Sequence, residues 1–351
     1  MSASTAGTVL PAHDRDDTRL QALWLWGVVF MVVMMVVLGG LTRLTGSGLS
    51  MVEWRPLSVL PPLDDIEWAR TFALYQTSPE FQLVHGDMTL DGFKSIFWLE
   101  YVHRLWGRLT GAAFALPLLV FAARRTLSGA MVWRMVGILG LGAMQGLVGW
   151  LMVASGLIDE PHVSPLRLAA HLVIALGLFS MLLWTALDLS RRPSLQPAPL
   201  LPSPWRVMVL ALPVLIALTI TWGALTAGLH AGLIYETFPL MDGDLFPADG
   251  LALTPWTLNA FKNPAAVQFI HRVLALSTLC LLAGTTLAAW RRQPAVARAL
   301  LPPALWVWAQ AGLGITTLLT AVPVPLASAH QCGAVLLLGL TVRSVHTLFR
   351  S

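Results

Sequence analysis

Charge is scarce in this sequence. Of 351 residues only 11% are charged while 56% are hydrophobic, and the mean hydropathy is +0.71. A soluble domain of this length needs far more charge on its surface, so the solvent of this chain is largely lipid. Lysine is nearly missing: among 22 basic residues only Lys94 and Lys262 are lysines. The arginines gather beside apolar runs, a pattern of membrane topology, so the net charge of +4 does not indicate a nucleic-acid partner. The two cysteines, Cys280 and Cys332, both lie in apolar segments, which excludes a disulfide framework and a cysteine zinc site. No P-loop is present, so ATP-driven transport is excluded as well. Residues 1–20 are polar and carry Arg15 and Arg19 among acids, unlike the short basic start of a cleaved signal; the first apolar run reads as a retained helix.

What the chain does have is length in its apolar runs. Eight stretches are long enough to cross a bilayer, roughly 23–42, 95–123, 131–154, 166–188, 207–229, 265–290, 299–322 and 327–349. Only helices or closed barrels satisfy their backbone in lipid, and runs of this length exclude barrel strands. Arg124 and Arg125, then Arg191, Arg192 and Arg206, then Arg291, Arg292 and Arg298 fall in alternate connections, with Arg15, Arg19 and Arg350 at the ends. That bias places both termini in the cytoplasm of an inner-membrane protein. The opposite connections hold acids: Asp64, Asp65, Glu67, Asp159, Glu160, Asp242, Asp244 and Asp249. Two of these outer loops, 43–94 and 230–264, are long enough to carry short structure of their own or to cap a site.

The sequence also repeats. Phe93-Lys94 and His103-Arg104 recur as Phe261-Lys262 and His271-Arg272, while Gly39, Thr42, Gly48 and Leu49 recur as Gly223, Thr226, Gly232 and Leu233. Gln145 and Gly149 match Gln310 and Gly314, and Ala170-His171 matches Ala329-His330. Four spans per half leave both halves in one orientation, a parallel repeat. The expected fold is an all-α integral membrane protein of eight helices in two pseudo-symmetric four-helix bundles. Its parts are a cytoplasmic segment 1–22, a first bundle 23–190, a linker 191–206 and a second bundle 207–351.

Four of the nine histidines, His103, His171, His271 and His330, fall early in the even-numbered spans, at a shared depth near the outer face. A single intramembrane histidine is readily explained by one hydrogen bond to a neighbouring helix. Four at matching positions of two repeats point to metal or haem ligation. Zinc wants three or four ligands per site, whereas two histidines per bundle match the axial ligation of one haem iron. The expected pairs are His103 with His171 and His271 with His330.

Glu100 lies three residues before His103, on the same helix face, and an intramembrane carboxylate is a functional candidate. Its counterpart is Gln268, which keeps the shape but cannot ionise. The first half is thus the candidate reaction site and the second the home of a resident cofactor. An ion pair of Glu100 with Arg104 or Arg108 is the plain alternative. Arg104, Arg108 and Arg272 suit haem propionates or backbone carbonyls equally, and Gln145 and Gln310 read as interhelical hydrogen-bonders.

These residues resemble the haem A synthase family. The likeness rests on Gly39-Gly40-Leu41-Thr42-Arg43-Leu44-Thr45-Gly46-Ser47-Gly48-Leu49-Ser50, Glu100-Tyr101-Val102-His103-Arg104, Gln145-Gly146-Leu147-Val148-Gly149, Ala170-His171, Gln268-Phe269-Ile270-His271-Arg272 and Ala329-His330. The resemblance implies oxidation of the C8 methyl of haem O in two steps to a formyl group, giving haem A for terminal oxidases. It implies haem B as cofactor on His271 and His330, haem O on His103 and His171, and Glu100 as the essential carboxylate. Gln268, Arg104, Arg108 and Arg272 would line the haem pockets. Implied partners are haem O synthase, an electron acceptor and membrane lipid; a homo-oligomer is compatible with the sequence. Members with a cysteine pair in the outer loops exist, but this chain is of the cysteine-free kind. Two rivals remain open at this point, a di-haem b-type quinol oxidoreductase and a haem transporter or chaperone.

Overall fold

The computed structural model describes residues 12–53, 60–156, 163–191 and 201–350, with the side chains of 12–15 left aside. The segments around Asp159, Glu160 and His162, around Arg192, and residues 1–11 lie outside the described residues. Among the described residues the chain is helical throughout. In order these are α1 (Ala12–Leu44), α2 (Asp65–Gln76), α3 (Pro79–Leu83), α4 (Leu90–Ala123), α5 (Gly129–Gly156), α6 (Pro165–Ser190), α7 (Ser203–Gly228), α8 (Asn259–Lys262), α9 (Pro264–Arg292), α10 (Pro294–Leu319) and α11 (Val324–Arg350).

Local chemistry sets the boundaries. Asp64, Ser78, Thr89 and Asn263 cap α2, α3, α4 and α9 through side-chain oxygens that accept from exposed backbone N–H groups. Pro79 and Pro264 occupy first-turn positions, where no N–H is needed. The long helices run 26 to 34 residues, about 40–50 Å at ~1.5 Å per residue, more than a bilayer core of about 30 Å.

Seven helices, α1, α4, α5, α6, α7, α9 and α11, are long and apolar enough to cross a membrane. The eighth expected span coincides with α10, which has the length but is diluted by Pro302, Pro303 and Gln310. It is nonetheless packed along α9 and α11. The other neighbours are α1 with α4, α6 and α11; α7 with α6, α9 and α11; α5 with α4 and α6; and α6 with α11. The helices α1, α6, α7 and α11 therefore form the centre. The packing is uneven: 6% of the spanning window of α5 is buried against 56% of that of α11, so α5 lies at the periphery against α4 and α6.

One apolar core is drawn from all eight long helices, including Leu25, Val32, Leu118, Met135, Leu182, Leu212, Leu282, Leu300 and Leu338. It fills the end of the molecule at which α1, α5, α7 and α10 begin. Burying such side chains contributes about 1.5–3 kcal/mol each in water, but between helices in lipid the gain comes from packing. The four histidines sit at the other end. His171, His271 and His330 are about two turns into α6, α9 and α11, whereas His103 is nearly four turns into α4, because α4 starts at Leu90, earlier than the apolar run suggests.

The extra turns of α4 carry a cap. Trp68 and Tyr75 of α2 pack on Phe93 and Phe97 of α4, Tyr75 stacking on Phe93 at 5.1 Å between ring centroids. Lys94 Nζ sits 5.4 Å over the Trp68 ring. The long loop after α1 thus has helical structure of its own. The loop 229–263 holds two single 3-10 turns and α8, with Asn259 and Asn263 buried and hydrogen-bonded within it.

Candidate functional site

Each of the four histidines lies against a glycine of a neighbouring helix. A methyl group added at Gly149 on α5 would come within 3.0 Å of the His171 ring. At Gly223 on α7 it would come within 3.0 Å of His271, and at Gly314 on α10 within 2.7 Å of His330. Gly39 on α1 bears the same relation to His103, at 3.3 Å. The glycines let the imidazoles enter the interhelical space; larger residues would push them out. The repeat contains all four glycines, but their role is visible only once the helices are packed. One ring differs: His103 turns Nε2 toward Gly39, whereas the other three present Cε1 to their glycines.

The pair His271 and His330 is brought together, with ring centroids 6.5 Å apart and planes at 87°. With metal–nitrogen bonds of about 2.0–2.1 Å and a ring nitrogen about 1.1 Å from its centroid, two axial imidazoles on one metal stand about 6.3 Å apart. The observed spacing fits a shared iron. In both rings Nδ1 is the anchored nitrogen: His271 Nδ1 is 3.1 Å from the carbonyl of Thr219, and His330 Nδ1 is 3.1 Å from Gln310 Nε2. Gln310 Nε2 also donates to the His330 carbonyl at 2.8 Å, tying α10 to α11. At His271 that leaves Nε2 for a metal; at His330 the facing Gln310 Nε2 is itself a donor, so Nδ1 accepts there and binding a metal through Nε2 needs the amide turned. His103 and His171 lie within electrostatic reach of each other, and His171 Nδ1 is buried without a hydrogen-bond partner. Among the described residues no group of three or more His, Cys, Asp and Glu could hold a bare metal ion. Sites of two imidazoles suit a metal that brings its other ligands with it.

Glu100 is 2% exposed and surrounded by donors. Ser50 Oγ donates to its Oε2 at 2.6 Å, the Met51 N–H donates to the same oxygen at 2.8 Å, and Arg104 forms an ion pair with Oε1. Arg104 also donates to the Met51 carbonyl at 3.0 Å. The carboxylate thus pins the turn after α1 onto α4; the ion pair with Arg104 is the plain alternative that the sequence offered, whereas Ser50 and Met51 are partners of which the spacing gave no sign. Gln268 and Arg272 hold the matching turn after α7, but with reversed polarity: Gln268 Nε2 and Arg272 both donate to the Tyr235 carbonyl, at 3.0 and 2.9 Å. Where Ser50 offers a hydroxyl, Ile234 stands in the second half. Gln268 Oε1 is buried without a partner. Arg272 donates further to the Leu240 carbonyl, and Arg108 lies half-buried one turn beyond Arg104.

The two halves touch near the histidines. Gln331, next to His330, donates to the Val36 carbonyl of α1 at 2.8 Å, and its amide lies directly against Gly40. Arg43 at the end of α1 reaches the Ala227 and Gly228 carbonyls and His230. A second buried polar group, also unforeseen, sits in the cap: the Tyr75 hydroxyl is 3.1 Å from Glu80 Oε2 and 2.8 Å from His85 Nδ1. At the opposite end His346, away from the sites, is 2.9 Å from Asp188, which also pairs with Arg134.

Comparison with known proteins places this arrangement. Residues 22–342 match the cytochrome oxidase assembly protein family. The haem A synthase of Granulibacter bethesdensis is 47% identical over 331 residues, covering 94% of this chain and 87% of that protein. Those of Allorhizobium ampelinum and Caulobacter vibrioides are 44% and 45% identical, covering 97% and 93% of this chain and 94% and 95% of theirs. The chain belongs to the haem A synthase family. It is accordingly a multi-pass membrane oxidoreductase of cytochrome oxidase assembly.

Proposed function

We propose that this haem A synthase takes haem O as substrate between His103 and His171 and keeps haem B as cofactor between His271 and His330. The observation that supports the division is Glu100 standing where the second half has Gln268, each bonded to the equivalent turn. The two halves read as one duplicated four-helix unit, α1, α4, α5 and α6 against α7, α9, α10 and α11, with α10 as an eighth span. Both termini lie on the arginine-rich, cytoplasmic side, which puts the histidine end near the outer face of the inner membrane.

His271 and His330 fit a haem by their spacing, the bond of His271 Nδ1 to the Thr219 carbonyl and the glycine room beside both rings. Haem iron bound there would carry one electron at a time, so each two-electron stage of methyl oxidation needs two transfers. The first half is less tied: α5 is peripheral, the His103 ring is turned, and His171 Nδ1 is unpaired, all in keeping with a site that exchanges its occupant. Glu100, neutralised by Arg104, is a carboxylate that can hold a proton leaving the substrate. Arg104 and Arg272 hold these turns to the histidine helices and stand beside the pockets in which propionates would lie.

The test is a visible spectrum with mass analysis of the bound haems, from a host that makes haem O, with and without this chain. A formyl-bearing haem that appears only with the chain is the expected result. Unaltered haem in a redox-active protein would instead make it an electron carrier, and haem moved without chemical change would make it a chaperone.

A further inference from the structure

In the second half the Gln310 amide meets His330 through Nε2, its own Oε1 being buried without a partner, and the first half contains the same parts with the histidine Nδ1 unpartnered as well. Gln310 and Gly314 are one turn apart on α10: the glycine admits the His330 ring and the glutamine meets its Nδ1. Gln145 and Gly149 have the same spacing on α5, and Gly149 admits the His171 ring at 3.0 Å. Yet both polar atoms that would meet, Gln145 Oε1 and His171 Nδ1, are buried without partners. Each such orphan costs about 1–3 kcal/mol, so two within one cradle demand an explanation. Interhelical bonding does not explain the Gln145 oxygen, because it bonds to nothing among the described residues.

We infer that Gln145 is the positioning residue of the exchangeable haem site, its Oε1 accepting from His171 Nδ1–H when Nε2 engages iron. An imidazole that gives one nitrogen to a metal must carry its proton on the other, and an oxygen acceptor there fixes the tautomer and the ring plane. In the second half Gln310 meets His330 Nδ1 through Nε2, and turning that amide would present the same acceptor there. In the first half the Gln145–His171 bond forms with the occupant and breaks with its departure, so the site can grip and release. Gln145 would act through His171 and would not touch the reacting methyl. The inference rests on the proposed assignment of His103 and His171 to a haem.

The experiment uses full-length protein carrying its second-half haem, titrated with haemin and followed by visible absorption and low-temperature EPR. Wild type, Gln145→Leu and Gln145→Glu are compared. Loss of an outer-shell partner typically weakens metal binding by about 10–100-fold, so Gln145→Leu is expected to loosen haemin by that factor and to broaden the low-spin signal of that site. The second-half signal, unchanged, reports that the variant is folded. Gln145→Glu keeps the acceptor oxygen, so it should retain tight binding with shifted g values. Affinity within twofold of wild type and unaltered g values in Gln145→Leu would overturn the inference. Should Gln145→Leu not fold, an unshifted spectrum in Gln145→Glu would do the same. If wild type itself takes up no second low-spin haem, the haem assignment of the first half fails, and the inference falls with it.

Discussion

Glu100→Gln is a smaller chemical change than it looks on paper, and a larger structural one. The carboxylate accepts from Ser50 Oγ, Met51 N–H and Arg104, three donors on two oxygens. An amide offers one oxygen and one NH2, so in either orientation a donor faces a donor. Hydrogen bonds to charged groups contribute about 1.5–3 kcal/mol, and an orphaned buried partner costs about 1–3 kcal/mol. The turn at 47–52 should therefore lose about 1.5–3 kcal/mol of docking free energy, a roughly 10- to 150-fold fall in its docked population. Gln268 is tolerated at the matching place because it faces the Tyr235 carbonyl, an acceptor. Limited proteolysis of the loop, alongside haem analysis, reads this directly: Glu100→Gln should be cut faster while retaining its second-half haem, and should form little formyl product. Combining it with Ser50→Ala should be less than additive by about 1 kcal/mol, since Ser50 then has no hydroxyl to orphan. A loop cut at the wild-type rate would refute the reasoning, and wild-type turnover would remove Glu100 from the mechanism.

Glycine-to-alanine substitutions should rank by the room beside each ring: Gly314→Ala displaces His330 and depletes the resident haem most, Gly39→Ala least, as read by haem per chain. Asp188→Ala removes partners of His346 and Arg134 between α5, α6 and α11, and should lower stability in detergent by about 1–2 kcal/mol without altering the haem spectrum. Burial pushes the Glu80 carboxyl up to about 7, the Tyr75 bond opposes this, and the negative charge of Glu100 adds to it. A raised carboxyl binds its proton more tightly in the folded state, so the cap should be tightest below about pH 4.5 and lose that contribution as pH rises through 7. Protease sensitivity of the cap between pH 5 and 8 should show this slope; Glu80→Gln should flatten it, and an unchanged slope in that variant would sink the argument.

The helices and the four histidines were legible because lipid imposes long apolar runs and makes every buried polar residue conspicuous. Ligand pairing could be reasoned from the repeat, and in the structure the His271 and His330 rings stand 6.5 Å apart. Gly149 and Gly314 were visible only as small residues, because what matters is a ring arriving from another helix. Glu100 was conspicuous, but its partners were not: Ser50 and Met51 lie some fifty residues away on a turn that looked like an ordinary loop. The Tyr75–Glu80–His85 group was missed because it sits in a short helical cap whose fold depends on α4 extending back to Leu90. The composition of α10 explains why its length and its apolarity disagree: Pro302, Pro303 and Gln310 lower its hydropathy, and of these Pro303 is buried in the packing and Gln310 meets His330.

Gly39 and Gly40 are consecutive residues, and between them α1 becomes a party wall. His103 leans on one side of it, and the Gln331 amide beside His330 leans on the other. On the haem assignment proposed above, a tilt of that wall on one side would reach the other across a single peptide unit, and the absorption spectrum of a haem on His271 and His330 would then report on its neighbour.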